Sequence, residues 1–150
     1  MIDISTIKII YDHAIQDYPN ECCGIVTDDG KGFAIVHKCK NIQNELHGKD
    51  PVRYTRDART AYYIDPREVI DIFHDAEKKG LKIIAFYHSH PGHAAYFSQE
   101  DRDLAMFGDE PSYPDAEYIV VSVFHGRIGE AASFKWDDSQ RDFQKRMIEI

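Results

Sequence analysis

His88 and His90 stand two residues apart at the end of the apolar run LKIIAFYH, and the stretch beyond them, SHPGHAAYFSQED, closes on Ser98 and Asp101. In an extended chain, side chains at i and i+2 point to one side, roughly 6.6 Å apart at about 3.3 Å rise per residue. Each imidazole can then reach inward toward one divalent cation at about 2.0–2.1 Å. Ser89, between them, points the other way. Pro91-Gly92 turns the chain off the sheet, and Asp101 falls on the first turn of the next helix, where it can offer a carboxylate. Two neutral imidazoles and one carboxylate leave a four-coordinate zinc ion one position open to water, the arrangement of a catalytic rather than a closed structural site. Plainer readings exist for the same residues. Ser98-x-x-Asp101 is a variant of the helix capping box, and a lone His-x-His suits a surface pair. The two readings of Ser98 are compatible, because a cap fixes the helix that carries Asp101.

The elements that must hold these residues follow from periodicity. Ile4, Ile7, Tyr11, Ala14 and Tyr18 recur at spacings of three and four and predict an amphipathic helix over 3–18, ended by Pro19. CCGIVTD, 22–28, and GFAIVHKC, 32–39, read as two strands joined at Asp29-Gly30. Residues 40–64 are polar and irregular, and a connection this long is either functional or mobile. Asp65-Pro66-Arg67-Glu68 starts a helix that Gly80 ends, with Val69, Ile72, Phe73 and Ala76 facing the core. Residues 81–88 form a strand with little alternation, as in one covered on both faces. A capped helix spans 98–107, with Leu104, Ala105 and Phe107 as its apolar positions. A loop covers 108–116, and strands cover 117–124 and 129–136. The tail, 137–150, reads as a short helix. The order α-β-β-α-β-α-β-β predicts an α/β sandwich with a mixed sheet.

Composition narrows the function classes. A chain of 150 residues is one domain, 1–150, by length, and can bury a core without disulfides or structural metals. Its net charge of −8, with no Lys/Arg-rich block, disfavours duplex nucleic acid and anionic membranes as partners. No apolar run is long enough to span a bilayer, and the N-terminus lacks a basic region followed by an uninterrupted apolar one, so no secretory signal is expected. The three cysteines, Cys22, Cys23 and Cys39, are odd in number and form no C-x-x-C. That suits reduced thiols in a cytoplasmic protein.

His88-Ser89-His90-Pro91, a short spacer and Ser98-x-x-Asp101 together resemble the signature of the prokaryotic JAMM (MPN-plus, Mov34/PAD-1-like) metallopeptidases. That family adds a glutamate far upstream, often in a Glu-x-Cys-Gly setting after a proline, and Pro19-Asn20-Glu21-Cys22-Cys23-Gly24 matches it. The resemblance covers roughly residues 3–136. It implies a cytidine-deaminase-like, three-layer α/β/α sandwich with a mixed sheet. It also implies a zinc metallopeptidase in which His88, His90 and Asp101 hold one Zn2+, Glu21 is general base and then acid, and Ser98 donates to the oxyanion. The implied substrate is a peptide or isopeptide bond at the C-terminus of a ubiquitin-like or ThiS/MoaD-type sulfur-carrier protein, its tail lying as an added strand on a sheet edge. Residues 40–64 and 107–116 are the candidate walls. Two alternatives stand beside this reading: a phage-tail or cell-wall peptidase of the same fold, and a non-catalytic MPN scaffold.

Overall fold

The long central strand, buried along most of its second half, organises the molecule. A computed structural model describes residues 2–149. Its elements are α1 (Ile4–Asp17), β1 (Cys23–Asp28), β2 (Ala34–Cys39), α2 (Gln43–Lys49), α3 (Pro66–Lys79), β3 (Lys82–Pro91), α4 (Gln99–Ala105), β4 (Met106–Phe107), β5 (Glu110–Pro111), β6 (Glu117–Phe124), β7 (Arg127–Asp137) and β8 (Asp142–Ile148). The main sheet runs β2-β1-β3-β6-β7-β8. Its strand pairs are antiparallel except β3 with β6, so the sheet is mixed. The parallel pair requires a crossover, and α4 with the short β4–β5 hairpin supplies it.

Three layers result. Ile7, Ile10 and Ala14 of α1 pack with Val26, Ala85, Tyr87, Ile119, Val121 and Ala131 on one face of the sheet. Ile72 of α3 packs with Cys23, Ile25 and Cys39 on the other, joined by Val69, Phe73 and Phe86. On that second face a further cluster gathers Ala95, Ala105, Val120, Ala132, Phe134 and Phe143 around Phe97 and Tyr118. The three-layer sandwich expected from the sequence is the fold observed.

Several local expectations change. The tail is a strand, β8, paired along β7 from Asp137–Asp142 to Ala131–Ile148. Its exposed Lys145 and Arg146 suit a sheet edge, and Phe143 alone is buried deeply. The buried face of α1 is Thr6, Ile7, Ile10, His13 and Ala14, whereas Ile4 is 75% exposed. Of the three apolar positions expected on the helix over 98–107, only Ala105 is buried; Leu104 is exposed on α4, and Phe107 falls in β4 and is exposed. Residues 40–64 contain α2 and a single bridge, Asn41 with Ile64. β3 extends through both histidines to Pro91. Among the described residues no helix is long and apolar enough to cross a membrane.

Two contacts lock the α1 face. Gly24 lies opposite Tyr87 in the β1–β3 register, and a Cβ there would sit 2.3 Å from the Tyr87 ring. Tyr87 is buried, and its hydroxyl meets His13 Nδ1 at 2.7 Å. With Nε2–H donated to Asp17 at 3.2 Å, Nδ1 is left to accept from the hydroxyl. Burial lowers the His13 pKa below its ordinary value, with Asp17 opposing and Lys38 assisting.

Gly24→Ala must displace Tyr87, and is expected to destabilise the protein by about 1–3 kcal/mol, the usual cost of overpacking a close-packed site. Urea denaturation checks this. A variant as stable as the native protein would mean that Tyr87 has room to move. His13 contributes to stability through its neutral form. That contribution is complete above pH 6.5, its ordinary value, and is lost as pH falls through the depressed folded pKa. On going from neutral to mildly acidic pH, the denaturation midpoint of the native protein should therefore shift downward relative to that of His13→Gln.

Candidate metal centre

Strand alternation sends His88 and His90 to the α3/α4 face, while Ser89 faces α1. Ser89 is fully buried there, and its Oγ accepts the Cys22 N–H at 2.7 Å. β3 ends where Gly92, at φ 72°, takes the left-handed conformation that glycine tolerates best. The Gly92 N–H still reaches the Val123 carbonyl at 2.7 Å. The returning segment is fastened by the Ser122 hydroxyl on the His93 carbonyl and by Ala95 N–H on Glu130 at 2.9 Å. Phe97 stacks on Phe134 at 5.0 Å. The chain is thus delivered to Ser98 in a fixed position.

Ser98 caps α4. Its Oγ accepts the Asp101 N–H at 3.0 Å, and Asp101 Oδ2 accepts the Ser98 N–H at 3.0 Å, a complete capping box. The same Oδ2 lies 3.3 Å from His88 Nε2 and 3.9 Å from His90 Nε2. The two Nε2 atoms are 3.1 Å apart. All three side chains are buried. Glu21, just ahead of β1, joins them. It is buried, and a carboxylate oxygen of Glu21 lies within 4.8 Å of ligand nitrogens of His88 and His90. The structure therefore brings Glu21, His88, His90, Ser98 and Asp101 around one point.

These donors fit a small divalent cation. Ligands about 2.0–2.1 Å from a tetrahedral ion stand roughly 3.3–3.4 Å from one another, close to the three separations just given. His90 Nδ1 donates to the Ala94 carbonyl at 2.9 Å, which leaves its Nε2 as a lone-pair donor. Two imidazole nitrogens facing each other in a buried site are best satisfied by a cation or a proton between them. Two nitrogens and a carboxylate oxygen suit zinc. Both carboxylates are near the imidazoles: Asp101 Oδ2 at 3.3 and 3.9 Å, and a Glu21 oxygen within 4.8 Å of each.

The electrostatics are those of a compensated buried cluster. Burial alone would raise Asp101, but the hydrogen bond and charge of His88 and the capping bonds of Ser98 outweigh it and hold the carboxyl at about 2. Burial likewise opposes protonation of His88, but Asp101 and then Glu21 outweigh it and raise its pKa. Burial, with the charge of His88, lowers His90 to about 4. Burial raises Glu21 to about 7, His88 and Arg56 opposing and Asp101 assisting.

Residues outside the expected metal and catalytic set complete the cleft. Tyr62 stacks on His88 at 4.6 Å, and Tyr96 lies 4.8 Å from His90. Arg56 hydrogen-bonds the Thr60 carbonyl at 2.7 Å and pairs with Glu100 of α4. Arg56, Thr60, Ala61 and Tyr62 form one wall, and Tyr96, Ser98 and Leu104 the facing one. The 40–64 segment thus borders the cleft, whereas Tyr113 in the 107–116 segment packs on Phe73 and Phe86. His93 also lines the cleft. A tyrosine in a polar loop carries no local signal of stacking on an imidazole; only the fold shows it.

A three-layer α/β fold thus brings imidazoles and carboxylates together at one buried point that could hold a metal ion. The chain belongs to the prokaryotic homologs of the JAB domain, whose family model matches residues 4–137. It is 30% identical over 111 residues to the desampylase of Haloferax volcanii, a match covering 73% of this chain and 67% of that one. A solution structure of a Desulfitobacterium hafniense protein superposes with a TM-score of 0.66 at 22% identity, covering 95% of this chain and 86% of the other. One from Salinibacter ruber gives 0.57 at 21%, covering 96% and 86%. These two likenesses concern the fold alone.

The geometry separates the carboxylates by experiment. Asp101→Ala and His88→Ala are each expected to abolish tight zinc uptake, whereas Glu21→Gln retains it. Titration of the purified variants followed by metal analysis decides, and loss of uptake in Glu21→Gln alone would give Glu21 the ligand role.

Proposed function

We propose that this protein is a zinc-dependent peptidase. Its substrate is a peptide or isopeptide bond following the C-terminal glycines of a ubiquitin-like or ThiS/MoaD-type sulfur-carrier protein. The observation that carries this reading is the convergence of His88 Nε2, His90 Nε2 and Asp101 Oδ2 within 3.9 Å of one another, with Glu21 beside them. Family membership and the similarity to a desampylase support an isopeptidase acting on a ubiquitin-like protein.

His88, His90 and Asp101 would hold the ion. Zinc, when bound, supplies Lewis acidity and a water that ionises near neutral pH. Glu21 takes a proton from the attacking water and passes it to the leaving amine. Burial suits it to that exchange, because a carboxyl raised toward neutrality both accepts and returns a proton. Ser98 Oγ is fixed as an acceptor by the Asp101 N–H, so its own proton is free to point into the cleft. There it stabilises the oxyanion formed as the carbonyl is attacked. Tyr62 and Tyr96 narrow the cleft beside the imidazoles. An extended tail ending in glycines, which has no side chains to place, suits such a passage.

The test is incubation of the zinc-loaded protein with ubiquitin-like carriers bearing C-terminal extensions after Gly-Gly, read by intact mass. Cleavage after the second glycine is expected. Glu21→Gln should keep its metal and lose turnover by at least about 10²-fold, the lower range for removing a positioned acid-base group. Full activity in that variant would remove Glu21 from the reaction, and no cleavage of any such carrier by the native protein would overturn the substrate assignment.

A further inference from the structure

Glu21 lies outside β1, which starts at Cys23. The sheet ladder therefore does not hold its peptide groups, yet its carboxyl has to stay at the centre of the cleft. Two bonds hold it instead. Its N–H donates to the Ala58 carbonyl at 2.7 Å, and its carbonyl accepts from Asn41 Nδ2 at 2.9 Å. The Asn41 amide makes three more bonds. Nδ2 also donates to Ala61 O at 3.1 Å, while Oδ1 accepts from Gln43 N at 3.0 Å and Tyr63 N at 3.1 Å. An amide has two donors and an acceptor oxygen with two lone pairs, so this side chain is fully used.

The neighbouring amides extend the pattern. Gln43 Nε2 donates to Arg56 O at 2.9 Å, and Asn44 Oδ1 accepts Ala58 N–H at 2.7 Å. The Ala58 peptide is thus gripped by Asn44 on one side and grips Glu21 on the other. Residues 56–63, which supply Arg56 and Tyr62 to the cleft, have no helix or strand of their own. These three side chains hold their backbone at Arg56, Ala58, Ala61 and Tyr63, beside the Ile42 N–H to Tyr63 carbonyl bond. A segment that reads as irregular is therefore fixed by side-chain amides on and before α2.

We propose that Asn41 is a positioning residue for Glu21: its amide joins the Glu21 peptide to the 56–63 wall, so that the carboxyl and Tyr62 are set against the imidazoles as one unit. This rests on the reading of Glu21 as the acid-base group. Asn41 is not among the residues lining the cleft. His88, His90 and Asp101 are carried by β3 and α4, outside the amide clamp.

Asn41→Asp tests it, since it keeps both accepting bonds and removes both donations. The zinc-loaded variant is expected to fold, to bind zinc as the native protein does, and to show faster amide exchange at residues 21–22 and 56–63. Its kcat on a ubiquitin-like carrier with a C-terminal extension should fall by about 10²-fold with KM unchanged, the cost of a misplaced catalytic group. Asn44→Ala, which loosens Ala58 instead, should change exchange and kcat in the same direction by less, and it decides the matter if Asn41→Asp does not fold. Native exchange and native kcat in these variants would overturn the proposal, as would losses that track reduced zinc content. If the native protein fails to cleave the carrier, the function reading falls alone. The exchange at 21–22 and the position of the Glu21 carboxyl in a variant crystal structure then decide for Asn41: unchanged values overturn the proposal, and a displaced carboxyl supports it.

Discussion

Mutual compensation among buried ionisable groups is the constraint on which this cleft depends. A carboxylate or an imidazolium taken out of water alone costs several kcal/mol. Asp101 escapes that cost because its Oδ2 faces both imidazoles and also receives the Ser98 backbone N–H. His90 avoids it by staying neutral, since burial and the charge of His88 lower its pKa to about 4. Helix capping and the geometry of the buried cluster are consequently one piece of architecture. The bond that starts α4 also aims its carboxylate, so the helix cannot be re-registered without disturbing the cluster.

The sheet supplies the second half of that arrangement. The β1–β3 register sets Cys23 opposite His88 and Gly24 opposite Tyr87, and Ser89 ties the Cys22 peptide to the strand between the two histidines. The close approach at Gly24 matters because Tyr87 occupies the space a side chain would need. Alternation then divides the labour along β3. Tyr87 and Ser89 hold the strand to α1 and β1, and His88 and His90 face the cleft.

How much of this could be read from the sequence varied with distance along the chain. The histidine pair and Asp101 were legible because a strand end, a turn and a helix cap lie within one short segment. Glu21 was legible only through family resemblance, since nothing local distinguishes it from the chain's other acids. The terminal strand β8 was misread as helix. Its turn places Arg141 at φ 52° with no glycine to mark it, and an edge strand with mostly exposed side chains shows no alternation. The face of α1 was misjudged because isoleucines at 4, 7, 9, 10 and 15 surround the helix, and only packing chooses Ile7 and Ile10. Residues 40–64 looked unstructured because their order comes from Asn41, Gln43 and Asn44, whose hydrogen bonds leave no periodic trace.

Cys23 shows what the sheet places next to a cleft histidine. It lies in register with His88 across the strands, and its S–H points to the Cys39 carbonyl at 3.9 Å. Burial raises its pKa far above neutrality. A buried, protonated thiol is a poor nucleophile, so this sulfur gives the sheet bulk rather than reactivity.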